Sequence, residues 1–404
     1  MSSKTLLRQE ILLELNFLKS MGTKIFIFPF INKQRNQLIC YKVIYALVLC
    51  TALQLFLTLC SNSSSDWLEI INVAPNLGVV IMAVIKYTKL HTYREAYHKL
   101  YHHFRYDIWD IVSSNSPSHQ KIIKRYKWIT KSINRFLFYY SIPLIVFVDS
   151  FPYLVMIYEN KFNYVTDQYL YPFDGWYPFD RVKWYAAVYV WESCMTAIVV
   201  FVYVFSNMIH TSYIAFICME LRILGSCLDE IRNPEDVIGV IGRTKKDVHN
   251  TVIRKLKVII SKHEYLAKTA AKLNLVLGDA MLLNYSLGSI FICLTAFTST
   301  MVDNLYKSLR YFFMCVSLLV EIFNQCVIGQ ILSDHSVGLS DTIYSWDWTS
   351  ASPEAKKIIL LFIMRTQKPF KLTGNGYIIM NMDTFSRIMS SSYQFFNLLR
   401  TIYR

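Results

Sequence analysis

Apolar residues gather in seven segments of the chain, each close to the length of a membrane span, and polar residues separate these segments. A helix needs about 20 mostly apolar residues to cross the roughly 30 Å of hydrocarbon in a bilayer. IYALVLCTALQLFLTLC and SCMTAIVVFVYVFSNMI meet this requirement most clearly. The pattern predicts an all-α integral membrane protein. Its seven transmembrane helices are expected near residues 39–60, 68–85, 136–157, 184–209, 275–297, 308–332 and 376–400.

The segments that precede, connect and follow the predicted spans alternate between many and few lysine and arginine residues. The crowded ones, with 6, 11, 11 and 5 basic residues, are 1–38, 86–135, 211–274 and 333–375. The sparse ones, with 0, 3 and 1, are 61–67, 158–183 and 298–307. Basic residues near the ends of spans stay in the cytoplasm. The N-terminus is therefore predicted to be cytoplasmic and the C-terminus extracellular, which is the reverse of a G-protein-coupled receptor.

Composition agrees with a membrane protein and adds little about partners. Of the 404 residues, 54% are hydrophobic, and the net charge is +14. Because the positive charge falls in the predicted cytoplasmic loops, it faces anionic membrane lipid and does not indicate a nucleic-acid partner. The nine cysteines lie mostly in or beside the spans and predict no disulfide framework. Asn62-Ser63-Ser64 is a glycosylation acceptor in the first outer loop.

Helical periodicity continues beyond the spans into the basic connections. The N-terminal arm predicts a short amphipathic helix on the membrane. Two further stripes of mostly apolar residues recur at helical spacing. The first is Tyr97, Leu100, Tyr101, Phe104 and Ile108. The second is Val252, Leu256, Ile259, His263 and Leu266. Asn233-Pro234 is expected to divide 211–274 into two helices. The spans are thus predicted to extend into a cytoplasmic anchor domain, where helices pack on one another or on other subunits.

The chain has neither internal repeats nor a low-complexity linker, so it predicts one membrane domain over 1–404. This domain divides into a cytoplasmic arm (1–38), spans one to six with the pocket and anchor helices (39–332), and a cytoplasmic segment with the last helix (333–404).

Two segments suggest more than a simple span or loop. YLYPFDGWYPFD (169–180) combines aromatic residues with two prolines. It is either an aromatic belt at the membrane interface or a folded lid over the outer mouth. The seventh apolar segment is the most polar of the set. Since polar side chains at membrane depth are costly unless they face protein or water, this helix is buried in the bundle or lines an aqueous path.

The last ninety residues resemble the insect odorant receptor family. The resemblance rests on FNQCVIGQILSDHSVGLSDTIYSWDW (323–348), on EAKKIILLFIMRTQKPFKLTGNGY after it, and on the terminal MDTFSRIMSSSYQFFNLLR. The chain lacks the large insertion of the family's co-receptor in the second inner loop. It also ends SYQFFNLLR, where the co-receptor has a terminus nearer TYFMVLVQ. It therefore resembles a ligand-tuning subunit.

The resemblance implies a heteromeric, ligand-gated, non-selective cation channel of four subunits in the plasma membrane, formed with the co-receptor and without a cofactor or metal. A small apolar volatile would bind among spans two, three, four and six. The candidate ligand-binding residues are Leu77, Phe151, Tyr185, Tyr189, Glu192, Phe312 and Cys315. The seventh helix would line the pore. Counting from Tyr393, the pore and gate positions are Ser392, Phe396, Leu399 and Arg400.

Other functions were weighed against this one. A polytopic transporter and a gustatory-receptor-like ligand-gated channel remain alternatives. An enzyme is not expected. YHKLYHHF has the spacing of one histidine box of a membrane desaturase, but the nine histidines are scattered and form no second box.

Overall fold

The structure is a computed structural model of the chain. It describes residues 3–24, 26, 35–62, 67–110, 112, 116–162, 169–173, 175–232, 245–302, 305–346, 348 and 351–402. Helices make up almost all of this part. In chain order they are α1 Ser3–Lys24, α2 Arg35–Asn62, α3 Trp67–Thr92, α4 Arg94–Arg105, α5 Pro117–Phe162, α6 Tyr185–Arg232, α7 Lys245–Met301, α8 Leu305–Tyr344, α9 Pro353–Thr366 and α10 Met382–Ile402. A 3-10 turn covers Asp107–Asp110, and two short strands, β1 Thr373–Gly374 and β2 Ile378–Ile379, precede α10.

Within the described ranges, six helices are long and apolar enough to cross a membrane, namely α2, α3, α5, α6, α7 and α8. They coincide with the first six apolar segments, which confirms a helical, multi-pass membrane fold. The seventh segment corresponds to α10, which is 21 residues long and interrupted by charged and hydroxyl side chains. The count of seven spans and the orientation stay predictions. The end of the bundle that carries residues 169–180 is therefore called the loop end, and the opposite end the basic end.

The three longest of the described helices are more than twice as long as the hydrocarbon layer of a bilayer is thick. α5, α6 and α7 contain 46, 48 and 57 residues, so at 1.5 Å per residue each is about 70–85 Å long. The hydrocarbon accounts for only about 30 Å of that length. These helices therefore continue past the apolar layer, as the periodicity predicts. α6 ends at Arg232 and α7 begins at Lys245, and the predicted break at Asn233-Pro234 lies between them, outside the described residues.

The two predicted stripes pack into the core at the basic end. Every member of the first stripe is buried, and so are Leu256, Ile259, His263 and Leu266 of the second. Polar contacts tie α4 to α6 as well. The His103 imidazole lies 2.9 Å from a carboxylate oxygen of Glu220, and the Tyr97 hydroxyl is hydrogen-bonded to His210. The basic end is thus a folded body rather than a set of loose loops.

The N-terminal arm forms a helix that packs on the bundle. Ile11, Leu15 and Leu18 of α1 are buried, and the ring of Phe17 meets that of Phe138 on α5 edge to face. Burial raises the pKa of the Glu14 carboxyl, while the positive charge of Arg135 acts in the opposite direction. The predicted helix is confirmed, and its buried side is covered by α5 and α6. Its predicted place on the membrane stays a prediction.

A small hairpin, which the sequence analysis did not predict, connects α9 to α10. β1 and β2 pair antiparallel, and the turn between them holds Asn375 and Gly376 at φ of 51° and 83°. Gly374 presses against α7 so closely that an added Cβ would lie 3.0 Å from the backbone of Leu282. Because of the hairpin, the last helix starts at Met382 and not near residue 376. It then packs against α7 and α8.

Candidate ligand cavity and pore helix

A cavity of about 200 Å³ lies inside the bundle towards the loop end. Its wall comes mainly from α3, α5, α6 and α8, with a smaller part from α2. Most of the lining is aliphatic: Leu55, Val79, Val80, Leu144, Ile145, Val148, Met195, Val199, Val200, Met314 and Leu318. Since a dry apolar cavity of about 150 Å³ can hold benzene, this one has room for a slightly larger apolar molecule.

Prolines lie inside two of the helices that surround the cavity. Pro75 is within α3 and Pro143 within α5. Proline cannot donate the backbone hydrogen bond of a helix and favours a bend at its position. The residues that follow them, Asn76 and Leu144, both line the cavity. Proline positions of two helices therefore lie next to the cavity.

Residues 169–173 and 175–180 lie over the cavity and are called the lid here. Pro172 and Phe173 of the lid form part of the cavity wall, and Arg310 on α8 donates a hydrogen bond of 2.9 Å to the Pro172 carbonyl. On the side of α2, Thr58 accepts a hydrogen bond of 2.8 Å from the backbone amide of Trp176. Of the two interpretations of this segment, the structure supports the folded lid.

Glu192 on α6 is the main anchor of the lid. Its side chain is 1% exposed and accepts hydrogen bonds from the Phe173 amide at 2.9 Å and from the Tyr177 hydroxyl at 3.0 Å. Burial and then the charge of Glu192 raise the pKa of Tyr177, so the hydroxyl stays protonated and can donate. Glu192 therefore holds the lid closed from below.

Glu321, one member of a buried charge pair, lies at the floor of the cavity. Glu321 on α8 accepts hydrogen bonds from Lys86 at 2.5 Å, Asn207 at 3.0 Å, Asn284 at 3.0 Å and Gln325 at 2.9 Å. These residues, with Tyr203, whose ring lies 3.7 Å from the Lys86 ammonium, are called the Lys86–Glu321 cluster. They join α3, α6, α7 and α8. Because the two charges cancel, the floor is polar but neutral.

The sequence analysis assigned Lys86 to the basic loop 86–135, and that assignment is wrong. The side chain is 3% exposed and lies inside the bundle. Its partner Glu321 stands in an apolar segment, and an acid in such a segment is itself a signal that a partner lies nearby. The local sequence does not identify Lys86 as that partner. Lys86 comes directly after the apolar residues that end at Ile85, so by pattern alone it belongs to the basic loop.

None of the seven predicted ligand-binding residues is in the described lining of the cavity, whose wall is formed by other side chains of the same spans. Tyr185 donates a hydrogen bond of 3.0 Å to the Leu170 carbonyl, and Tyr189 is hydrogen-bonded to the Asp149 carbonyl. Glu192 anchors the lid. The rest pack within or outside the bundle, where Leu77 and Cys315 are half-buried, Phe151 stacks on Phe147 at 4.7 Å, and Phe312 is 52% exposed. A role for these residues in ligand binding stays a prediction.

α10 has one buried face and one exposed polar face. Thr384, Ile388 and Ser392 are buried against the bundle, and the Ser392 hydroxyl donates to the Ile388 carbonyl at 2.8 Å. Of the other predicted gate positions, Phe396 and Leu399 are half-buried and Arg400 is exposed. The opposite side of the helix exposes Asp383, Ser386, Arg387, Ser390, Gln394 and Asn397. The pore and gate assignments stay predictions, as does glycosylation of Asn62, whose side chain lies outside the described part.

The lid contacts predict a measurable change in protease sensitivity. Replacing Glu192 by alanine removes two hydrogen bonds to a carboxylate, each of which contributes about 1.5–3 kcal/mol. Trypsin should then cut the purified protein after Arg181 or Lys183, which are exposed, at least about tenfold faster, because tenfold corresponds to about 1.4 kcal/mol. Tyr177→Phe, which removes only one of the two bonds, should give a smaller increase. Equal cleavage rates in all three proteins would show that Glu192 does not hold the lid.

Comparison with known proteins places this architecture in a family. A family model described as 7tm odorant receptor matches residues 66–393. Odorant receptor 67a of Drosophila melanogaster is 27% identical over 201 residues, which are 48% of this chain and 49% of that receptor. Putative odorant receptor 92a of the same fly is 23% identical over 348 residues, covering 84% of this chain and 81% of that one.

Solved structures give the same fold. The olfactory receptor OR5 of Machilis hrabei, solved in complex with eugenol, superposes with a TM-score of 0.79 at 14% identity, covering 96% of this chain and 98% of that one. The family model confirms the resemblance drawn from the last ninety residues at the level of the family, together with the expectation of a multi-pass membrane receptor rather than an enzyme. The distinction between a tuning subunit and the co-receptor stays a prediction. Since the family model spans most of the sequence, the chain belongs to the 7tm odorant receptor family.

Proposed function

We propose that the chain is the odorant-binding tuning subunit of a heteromeric, ligand-gated, non-selective cation channel in the plasma membrane. A small volatile binds in the cavity beneath the lid, and the channel opens through α10. The observation that carries this proposal is the polar face of α10, which points away from the subunit's own bundle.

A polar helix face at membrane depth requires water or protein beside it. Ser386, Ser390, Gln394 and Asn397 recur every three or four residues and form one continuous strip. If four subunits surround one axis, such strips line a water-filled path for ions. Phe396 and Leu399 are half-buried on the side of the bundle, and we assign them to the gate from the family resemblance, since large apolar residues can close a narrow path by excluding water. The family resemblance puts Ser392 and Arg400 in the same region.

The chemistry of the cavity favours a neutral ligand with an apolar body and one polar group. Its walls are aliphatic, and its floor carries Asn207, Glu321 and Asn324. Lys86 neutralises Glu321, so the floor does not select a charged ligand, while the amides offer hydrogen bonds to a single polar group. The similar receptor from Machilis hrabei was solved with eugenol, and we propose a small volatile for this chain too.

The proposed partner is the family's co-receptor. α9, at the basic end, exposes Leu360, Leu361 and Met364. A cluster of large apolar side chains on the surface of a folded body marks a protein contact. α9 thus supplies a surface on which subunits can assemble, which suits the anchor domain implied by the resemblance.

Co-purification tests the assembly. With an affinity tag on this chain, the co-receptor should be retained when the two are expressed together, and replacing Leu361 by aspartate should reduce the retained amount several-fold, because a charge enters an apolar contact. An untagged chain serves as the control for non-specific retention. Failure of the tagged wild-type chain to retain any co-receptor would contradict the proposed heteromer.

A further inference from the structure

α3 carries two lysines that face different neighbours. Lys86 pairs with Glu321, which lines the cavity floor. Lys89 lies three residues later, on the same side of the helix, and its ammonium is 2.5 Å from Asp279 on α7. One short stretch of α3 is therefore connected both to the cavity and to the helix that supports the hairpin.

Asp279 is shared between α3 and the hairpin. One of its carboxylate oxygens pairs with Lys89, and the other accepts a hydrogen bond of 2.7 Å from the side-chain amide of Asn375. Asn375 lies at the turn of the hairpin with φ of 51°, a conformation that asparagine tolerates better than most residues. Asp279 thus joins α3 to the turn that precedes α10.

The hairpin is held closely enough to move together with α7. Asn274 accepts a hydrogen bond of 2.6 Å from the Thr373 amide and donates one of 3.0 Å to the Thr373 hydroxyl. An added Cβ on Gly278 would collide with Asn375, and one on Gly329 with the Met380 carbonyl. Only a few residues separate the turn from Met382, where α10 begins. A displacement of the hairpin therefore reaches α10 directly.

We propose that Lys89, Asp279 and Asn375 are positioning residues that couple the ligand cavity to α10. A ligand that displaces the Lys86–Glu321 cluster shifts α3, and the Lys89–Asp279–Asn375 bridge passes this shift to the hairpin and so to the pore helix. This proposal rests on the proposed ligand-gated function. The side chains of Lys89 and Asp279 are 26% and 41% exposed, and ion pairs this exposed contribute little to folding stability, so the bridge can be altered without unfolding the chain.

The test uses charge replacement and charge exchange in the chain co-expressed with its co-receptor. The probe is a mixture of 1-hexanol, 2-heptanone, ethyl butyrate and methyl benzoate, applied over a range of concentrations. Asp279→Asn and Lys89→Gln should each reduce the maximal evoked current about three- to tenfold, at an unchanged surface amount of the tagged chain. The double variant carrying both should be no worse than either alone, because both break the same contact. The exchange Lys89→Asp with Asp279→Lys should return the current to within about twofold of wild type, because Asn375 can turn its side-chain amide so that its oxygen accepts from the lysine at 279.

Glu264 and Lys268 provide a matched control, since they form a 2.7 Å pair on the same helix α7 with both side chains largely exposed. Their exchange should leave the evoked current unchanged. The coupling proposal is overturned if the Asp279 and Lys89 variants respond like wild type. It is equally overturned if the Asp279 and Lys89 variants lower the surface amount of the chain and the charge exchange restores neither the surface amount nor the evoked current. That result would indicate a purely structural role. Absence of evoked current in the wild-type pair would instead count against the proposed function itself.

Discussion

Replacing Glu321 by leucine is expected to remove most of the chain from the cell surface. The change leaves the Lys86 ammonium buried among apolar helices without its carboxylate, and deprives Asn207, Asn284 and Gln325 of their common acceptor. Removing one partner of a buried pair costs about 3–5 kcal/mol, a large part of the roughly 5–15 kcal/mol that stabilises a folded protein. Surface labelling of an epitope-tagged chain, compared with its total amount, measures the effect.

A second variant separates the loss of the pair from a simple loss of packing. When Lys86→Met is added to Glu321→Leu, neither charge remains, and the surface amount should recover substantially, since removing both partners of a buried pair is often close to neutral. Glu321→Gln keeps the shape of the side chain but not its charge and should lie between wild type and Glu321→Leu. Normal surface amounts of Glu321→Leu would mean that the cluster does not stabilise the bundle. A double variant no better than the single one would mean that the unpaired charge is not the cause.

The second large effect is expected from filling the cavity. Thr196 on α6 lines it and is half-buried, so a tryptophan at this position projects into the space that the ligand requires. Thr196→Trp should reduce the volatile-evoked current of the co-expressed pair by at least about tenfold across a broad panel, because the pocket can no longer enclose an apolar body. The current is measured under voltage clamp and normalised to the surface amount.

Val190 on the same helix offers the matched control. Its side chain is 61% exposed and lies outside the cavity, so Val190→Trp introduces the same bulk without filling the space. Evoked currents of Val190→Trp should stay within about twofold of wild type. Unaltered responses in a Thr196→Trp chain that reaches the surface would place the ligand site elsewhere.

Much of the fold follows from local patterns in the sequence. The first six apolar segments coincide with helices long and apolar enough to cross a membrane, and the stripes around Tyr97 and Leu256 are buried as their spacing predicts. Such patterns depend on neighbours within a few turns of one helix, which is why a single sequence reveals them. The hairpin before α10 escaped prediction because its strands are two residues long and are held by contacts with α7.

The candidate site could be predicted only in part, because it is built from contacts distant in sequence. The four spans expected to hold the ligand do surround the cavity, and Glu192 is predicted as a ligand contact although in the structure it holds the lid. Its partners Phe173 and Tyr177 became visible only in the structure. Lys86 and Glu321 are 235 residues apart, and no local pattern connects them. Which side chains reach the cavity also depends on the rotation of each helix about its axis. The apolar pattern constrains this rotation only loosely, because a membrane helix is apolar both towards lipid and towards the bundle.

The most direct test of the central claim is the current evoked by a panel of volatile alcohols, ketones, esters and substituted benzenes in cells that express this chain with the co-receptor. The same panel is applied to cells that express either chain alone. The account predicts a dose-dependent inward current that is carried by both sodium and potassium and that appears only when this chain and the co-receptor are present together. A robust evoked current from this chain alone, or the same responses when this chain is omitted, would contradict it.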